Sequence, residues 1–497
     1  MPNVCIIIQK EAQDAHDSKV RLKKLINNKK LPLTEGPIFV RMTLFALPIM
    51  MTGILQILYT MADNIIVGQF SGDTNALGAV GSTSTLNSLI LTLLLGISIG
   101  TSVVVAQAYG AKNERVVSRA VHTALTFSLI GGVAFMIVGL ALSRTALVLM
   151  GTRPVLLEGA VLYFRIICLG IPATSVYNFS AGILRSIGDS KTPLIILAST
   201  GLVNIVLNIF FVCACGMSVE GVAIATVVSQ YLSAIVSVYV LWRKRSECYG
   251  FSFKKIGIDI RLLKRILRLG VPSGLQSAMF SLSNILLVSG INTLGDHAIK
   301  ANTIAGNIDA ITYLACNAFS AAVMTFVGQN YGAGKIDRVK RSVISGIVQV
   351  AVFGIVIGQL QLLFANQLAS LYIAGDDPNR AEILALTEGV LILILNVYFI
   401  CGLMDVMAGA LKGLGYSLAP MIISIICICG VRIVWRYVAF PLEIFNSIEG
   451  IYISYPISWS LAFICYLVLY IIARVKIKKR LNLTTAAPTE EKTTVEV

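Results

Sequence analysis

The chain has 497 residues, of which 56% are hydrophobic and only 13% charged, with a mean hydropathy of +0.82. A water-soluble fold of this length cannot hide that much apolar surface, so the composition excludes an ordinary soluble enzyme and calls for lipid as solvent. The formal net charge of +15 would suit a polyanionic partner. The basic residues, however, fall in alternate loops without interleaved aromatics or a nucleic-acid motif, so nucleic acid is not an expected partner.

Apolar runs long enough to cross about 30 Å of hydrocarbon follow one another near 40–68, 77–107, 120–142, 154–184, 192–214, 219–242, 263–291, 301–328, 342–365, 380–411, 417–438 and 450–473. They lack the alternation of barrel strands, and in lipid every backbone polar group needs an internal partner, so they read as helices. The expected fold class is an all-α polytopic membrane protein with twelve transmembrane helices in two six-helix bundles. Residues 1–36 form an N-terminal segment, 37–242 the first bundle, 243–262 a linker, 263–475 the second bundle and 476–497 a Thr/Glu-rich tail expected to be disordered. Val4–Ile8 is too short for the apolar region of a cleavable signal. The linker, opening Trp242-Arg-Lys-Arg, reads as a basic amphipathic surface segment.

Orientation follows from where Lys and Arg fall. Of the 40, 33 lie on one side of this twelve-helix arrangement, including Lys10, Lys19, Arg21, Lys23, Lys24, Lys29, Lys30 and Arg41. That side is expected to be cytoplasmic, with both termini inside.

The second half repeats the first. Pro48 corresponds to Pro272, and Gln107-Ala-Tyr109-Gly110-Ala111 to Gln329-Asn-Tyr331-Gly332-Ala333, each closing a span on the basic side. Gly182-Ile-Leu184-Arg185-Ser-Ile-Gly188-Asp-Ser190-x-x-Pro193 likewise matches Gly409-Ala-Leu411-Lys412-Gly-Leu-Gly415-Tyr-Ser417-x-x-Pro420. Six is an even number of helices, so the halves share one orientation and are parallel repeats with a solute path expected between them.

Together with the run Tyr59-Thr-Met-Ala-Asp63-Asn-Ile-Ile-Val-Gly68, these paired motifs resemble bacterial members of the multidrug and toxic compound extrusion (MATE) family over roughly residues 36–475. The resemblance implies exchange between inward-facing and outward-facing states, a cavity between two six-helix bundles, and drug export driven by protons or sodium.

Asp63 is the leading functional candidate, because a carboxylate deep in a spanning helix costs about 2.5–3.5 kcal/mol on insertion scales. The family resemblance implies a cation-coupling role for it. Asn204 and Asn208 stand at i and i+4 on one helix face, and Thr226 lies on the next helix; by resemblance these are the polar partners of that Asp. Many members carry a second Asp where this chain has Asn208, which makes a two-carboxylate sodium cage less expected and leaves a single-Asp proton switch or a weaker sodium site. Asn178, the repeat counterpart of Asp405, joins the coupling set. Asp405, Asp309, Gln56, Tyr59, Gln276 and Met279 are assigned to the solute cavity. Met61, Phe280, Met404 and Met407 could add an adaptable apolar wall. Arg165, Arg432 and Arg436 are expected to snorkel to headgroups or to pair with an acid such as Glu388. Pro48, Pro172 and Pro272 are candidate kinks.

Cys168, Cys213, Cys215, Cys316, Cys401, Cys427, Cys429 and Cys465 fall within spans as small hydrophobes. With His16, His122 and His297 scattered, no metal, cofactor or disulfide framework is expected; the coupling ion is H+ or Na+. No nucleophile–base pair or phosphate-cradling loop points to an enzyme. The resulting expectation is a monomeric antiporter of the bacterial inner membrane, contacting lipid and small amphiphilic, chiefly cationic compounds. A flippase for lipid-linked precursors would want a cleft rich in Arg and Lys, and a receptor or scaffold would want sizeable soluble domains.

Overall fold

A computed structural model describes residues 33–71, 75–373 and 377–486, with side chains to 479. The spans are α1 Ile38–Phe70, α2 Ala76–Gly110, α3 Glu114–Leu149, α4 Pro154–Ser186, α5 Lys191–Ala214, α6 Val219–Arg243, α7 Ile260–Leu294, α8 Asp296–Gly332, α9 Ile336–Leu363, α10 Arg380–Gly413, α11 Leu418–Ala439 and α12 Ile448–Lys479. Eleven of these, among the described residues, are single helical runs long and apolar enough to cross a membrane. The twelfth, α4, is a pair bent by 46° between Leu169 and Ile171. The expected 154–184 span therefore exists as two pieces, and the cause is local. Pro172 lacks the N–H that would continue the ladder, and Gly170 supplies the break. Pro48 and Pro272 instead sit inside continuous helices.

Two spans, α3 and α7, start on side-chain caps. Asn113 accepts the Val116 N–H at 3.1 Å to start α3, and Asp259 accepts the Arg261 and Leu262 N–H groups at 3.0 and 3.2 Å to start α7. The repeat is visible at the turns as well. Gly188 and Gly415, matched in sequence, both adopt positive φ, 99° and 95°, a region that favours glycine. The fifth span of each half carries π-helical turns: Phe210–Ala214 in α5, and Ile425–Gly430 and Trp435–Ala439 in α11. Such turns rotate the residues beside them out of ordinary helical register.

The linker, expected as a basic amphipathic surface segment, is mostly irregular between α6 and α7. Apart from a 3₁₀ turn at Phe253–Lys255, it is a loop tied down on α3. The Ser252 N–H donates to His122 Nε2 at 3.0 Å, and the Asp259 N–H to Thr123 Oγ1 at 3.0 Å. Phe251 is buried and stacks on the His122 ring at 5.3 Å. The N-terminal segment up to residue 32 and the tail beyond 486 lie outside the described residues.

Candidate functional site

Asp63 stands on α1 seven residues, or about 10 Å of helix rise, before Phe70. Its carboxylate is half-buried and accepts a hydrogen bond from Asn208 Nδ2 at 2.5 Å. The same Nδ2 lies 3.3 Å from Asn204 Oδ1, and Asn204 Nδ2 in turn reaches Thr226 Oγ1 at 3.5 Å. One polar chain thus runs from α1 through α5 to α6, with Asn204 and Asn208 both buried. Tyr163, on α4, is within electrostatic reach of the carboxylate. Asn208 Oδ1 is buried with no hydrogen-bond partner among the described residues, an acceptor oxygen next to the acid. One carboxylate, one orphan amide oxygen and a nearby hydroxyl are hard oxygen donors of the kind that hold a proton or a small cation. Among the described residues no three His, Cys, Asp or Glu side chains are grouped to hold a metal ion.

Asn178 is not in this chain. It is buried on the basic-side half of α4, one turn from Gly182, which packs on Ser98 and Ser102 of α2. The repeat relation that pairs it with Asp405 gave no information about distance from Asp63.

The six solute-cavity candidates scatter. Gln56 is exposed on α1. Tyr59 is pinned instead: its hydroxyl donates to the Ala198 carbonyl at 3.2 Å, and its ring covers Gly201 of α5 so closely that any Cβ there would collide with it. Gln276 is bonded within the second half, to Ser424 Oγ at 2.8 Å and the Tyr466 hydroxyl at 3.2 Å. The Met279 carbonyl accepts from Cys429 Sγ at 3.3 Å. Asp405 is half-buried on α10, in electrostatic reach of Lys412 two turns along the same helix. Asp309, on α8, is half-buried in reach of Tyr398, Tyr452 and Tyr455. Met404 and Met407 are packed in the core of the second half, 3% and 0% exposed, and form no wall.

Sequence reading passed over the closure motifs as places of contact between the halves. Gln107 Nε2 donates to the Gly413 carbonyl at 2.8 Å, and Gln329 Nε2 to the Ser186 carbonyl at 2.7 Å, so each half's glutamine caps the other half's helix end. The remaining amide oxygens are taken too. Gln107 Oε1 accepts from Arg265 Nη2 at 2.7 Å and Gln329 Oε1 from the Leu33 N–H at 3.2 Å. Gly110 lies against the Gln329 carbonyl and Gly332 against the Gln107 carbonyl, close enough that a Cβ on either would overlap the backbone. Further along, Gly96 and Gly100 of α2 meet Gly274 and Gly270 of α7. The halves are joined at the basic side. A cavity of about 810 Å³ opens there, lined in part by Gln107, Arg265, Tyr331, Tyr416, Lys476 and Lys479. It does not include the Asp63 chain.

A bundle of twelve apolar spans, built from two repeats locked at one end and carrying a hydrogen-bonded acid inside the first, defines a polytopic solute carrier. The MatE family profile matches residues 48–210 and 272–438, one copy per half, and the chain belongs to the MATE family of transporters. It is 29% identical over 446 residues to the probable multidrug resistance protein YoeA of Bacillus subtilis, covering 88% of this chain and 94% of that one. It is also 29% identical over 421 residues to a probable multidrug resistance protein NorM of Thermotoga maritima, covering 81% and 86%. Among solved structures, a MATE in complex with MaL6 superposes with a TM-score of 0.83 at 24% identity, covering 90% of this chain and 98% of that one. An outward-facing multidrug resistance MATE transporter of the MOP superfamily superposes with 0.81 at 23% identity, covering 90% and 98%. These likenesses establish the fold.

Proposed function

We propose that the protein is a cation-coupled antiporter of the bacterial inner membrane that exports small amphiphilic, chiefly cationic compounds by alternating access, with protons or sodium as the coupling ion and both termini cytoplasmic. The carrying observation is the chain Asp63–Asn208–Asn204–Thr226, which ties α1 to α5 and α6 through one acid. Binding a cation at Asp63 removes the charge that Asn208 is holding, and so changes how α1 sits on α5. Coupling then means that the loaded and empty forms favour different arrangements of the halves. The latch around Gln107 and Gln329 supports reading this arrangement as sealed toward the cytoplasm. The names of the relatives support export of drug-like compounds. Gln56, Asp309 and Asp405 are proposed to face solute at some stage of the cycle.

Proteoliposomes with separately imposed pH and sodium gradients test this. Wild type should export a fluorescent cation, the ethyl ester of rhodamine B, down at least one of the two gradients. Asp63→Asn, inserted to the same level, should lose that coupled export. Equal export by both proteins would remove Asp63 from the coupling step.

A further inference from the structure

The second half holds a polar cluster where the repeat would put a counterpart of the Asp63 chain, but its charge is opposite. The shift that carries Gly182 onto Gly409 brings Arg432 beside the counterpart of Asn204, and the shift that carries Pro48 onto Pro272 brings Asp63 onto Leu287, one turn from Asn284 and Ser283. Arg432 is 0% exposed and is met by Asn284 from α7. Its Nη1 donates to Ser283 Oγ at 3.0 Å and Asn284 Oδ1 at 2.5 Å. The guanidinium is flanked by Phe280 and Tyr455, with its carbon 5.0 and 4.4 Å from their ring centres. The expectation that Arg432 snorkels or pairs with Glu388 is therefore wrong. The ion pairs found among the described residues do not include it, so no carboxylate lies within 4.0 Å.

Two of its donors, Nε and Nη2, are buried with no acceptor among the described residues. These two N–H groups share one edge of the guanidinium, the edge whose parallel donors match both oxygens of a carboxylate or a similar planar oxyanion. The aromatic rings offset part of the cost of a buried cation, but they supply no acceptor oxygen to the Nε and Nη2 donors. A purely structural arginine would be expected to have its edge closed by a backbone carbonyl or an acid.

We propose that Arg432, oriented by Ser283 and Asn284, is an oxyanion-recognition site in the second half that takes the carboxylate of an exported solute. The inference rests on the export reading above and refines its solute class toward compounds that carry an acidic group beside their cationic one. Division of labour follows from the charge inversion. The first half handles the coupling cation at Asp63 while the second reads an anionic group of the cargo, so the two ligands do not compete for one residue.

The test uses the full-length protein in nanodiscs and a matched pair of dyes, rhodamine B with its free carboxylate and rhodamine B ethyl ester without it, with binding read by fluorescence anisotropy. Wild type should bind the acid at least tenfold tighter than the ester, about 1.4 kcal/mol. Arg432→Lys, which keeps the charge and loses the fork, should bring the ratio to about one. Should that variant misfold, Ser283→Ala/Asn284→Ala keeps the arginine but releases it from its supports, and the ratio should fall likewise. Thermal unfolding of wild type with sodium benzoate or sodium nitrate separates the sources of the anion. A ratio near one with protection by nitrate that Arg432→Lys abolishes would leave an oxyanion site filled by an inorganic ion, and the solute assignment would fall. A ratio near one with no protection by either salt overturns the proposal entirely. Gradient-driven export of the ester reports on coupling alone, so failure of the Arg432 site and failure of the antiport reading give different results.

Discussion

Asn208 is the link between Asp63 and Asn204 in the coupling chain. Its Nδ2 is the donor that holds the Asp63 carboxylate at 2.5 Å, and its own Oδ1 is left unpartnered among the described residues. Replacing it by alanine removes that donor and the hub that links Asp63 to Asn204, so gradient-driven export of rhodamine B ethyl ester should fall at least tenfold in initial rate with protein insertion unchanged. Asn208→Asp acts in the other direction. Two carboxylates facing each other bind a cation by charge, so export should become more dependent on sodium than in wild type, read as a larger ratio of rates with and without a sodium gradient. Tyr59 is held against α5 by one hydrogen bond and by its ring on Gly201. Tyr59→Phe deletes one hydrogen bond, about 0.5–1.5 kcal/mol, whereas Gly201→Ala drives a methyl into the Tyr59 ring and should cost about 1–3 kcal/mol. Thermal denaturation in detergent should rank the second variant as the less stable.

Between helices, the decisive contact is the reciprocal capping of one half by the other. At α2 and α8 a glutamine side chain takes up a carbonyl left free at the end of the other half's helix, so opening the basic side breaks two side-chain bonds and exposes two carbonyls together. Gln107→Ala/Gln329→Ala removes both, at about 1–3 kcal/mol for each carbonyl left buried and unpaired. The equilibrium should move toward the form open on that side. Spin labels at Lys112→Cys and Lys335→Cys should then report a longer mean distance than in protein with both glutamines, and an unchanged distribution would reject the latch. Glycine is required at the same place for a steric reason: Gly110 and Gly332 let the two α-helix ends cross with backbone against backbone. Both motifs had been visible in the sequence as repeats, yet their pairing had not. Matched positions in a parallel repeat reveal an axis, and only the docked halves show that residues near that axis touch their own counterparts' neighbours.

For the molecule as a whole, the charge asymmetry predicts orientation. A membrane-impermeant thiol reagent should label Lys254→Cys in inverted membranes and not in intact cells, and Thr152→Cys in the reverse pattern; the opposite result would invert the arrangement. Span positions were legible to within a few residues because burying a backbone in lipid forces helix wherever the run is long enough, a condition that depends only on local sequence. The repeat and the family were legible from residue type, spacing and matched motifs, and the grouping of Asp63 with Asn204, Asn208 and Thr226 was implied by the family resemblance, with spacing adding only that the two amides share a helix face. What the linear chain could not decide was the rotation of each helix about its own axis. In water an apolar stripe marks the inward face, but in lipid both faces are apolar and that signal fades. So Met404 and Met407 went into the core, and Arg432 was buried against Phe280 and Tyr455 instead of reaching for headgroups. Those placements come from packing among distant helices, and the local chain carries no record of which neighbour will arrive.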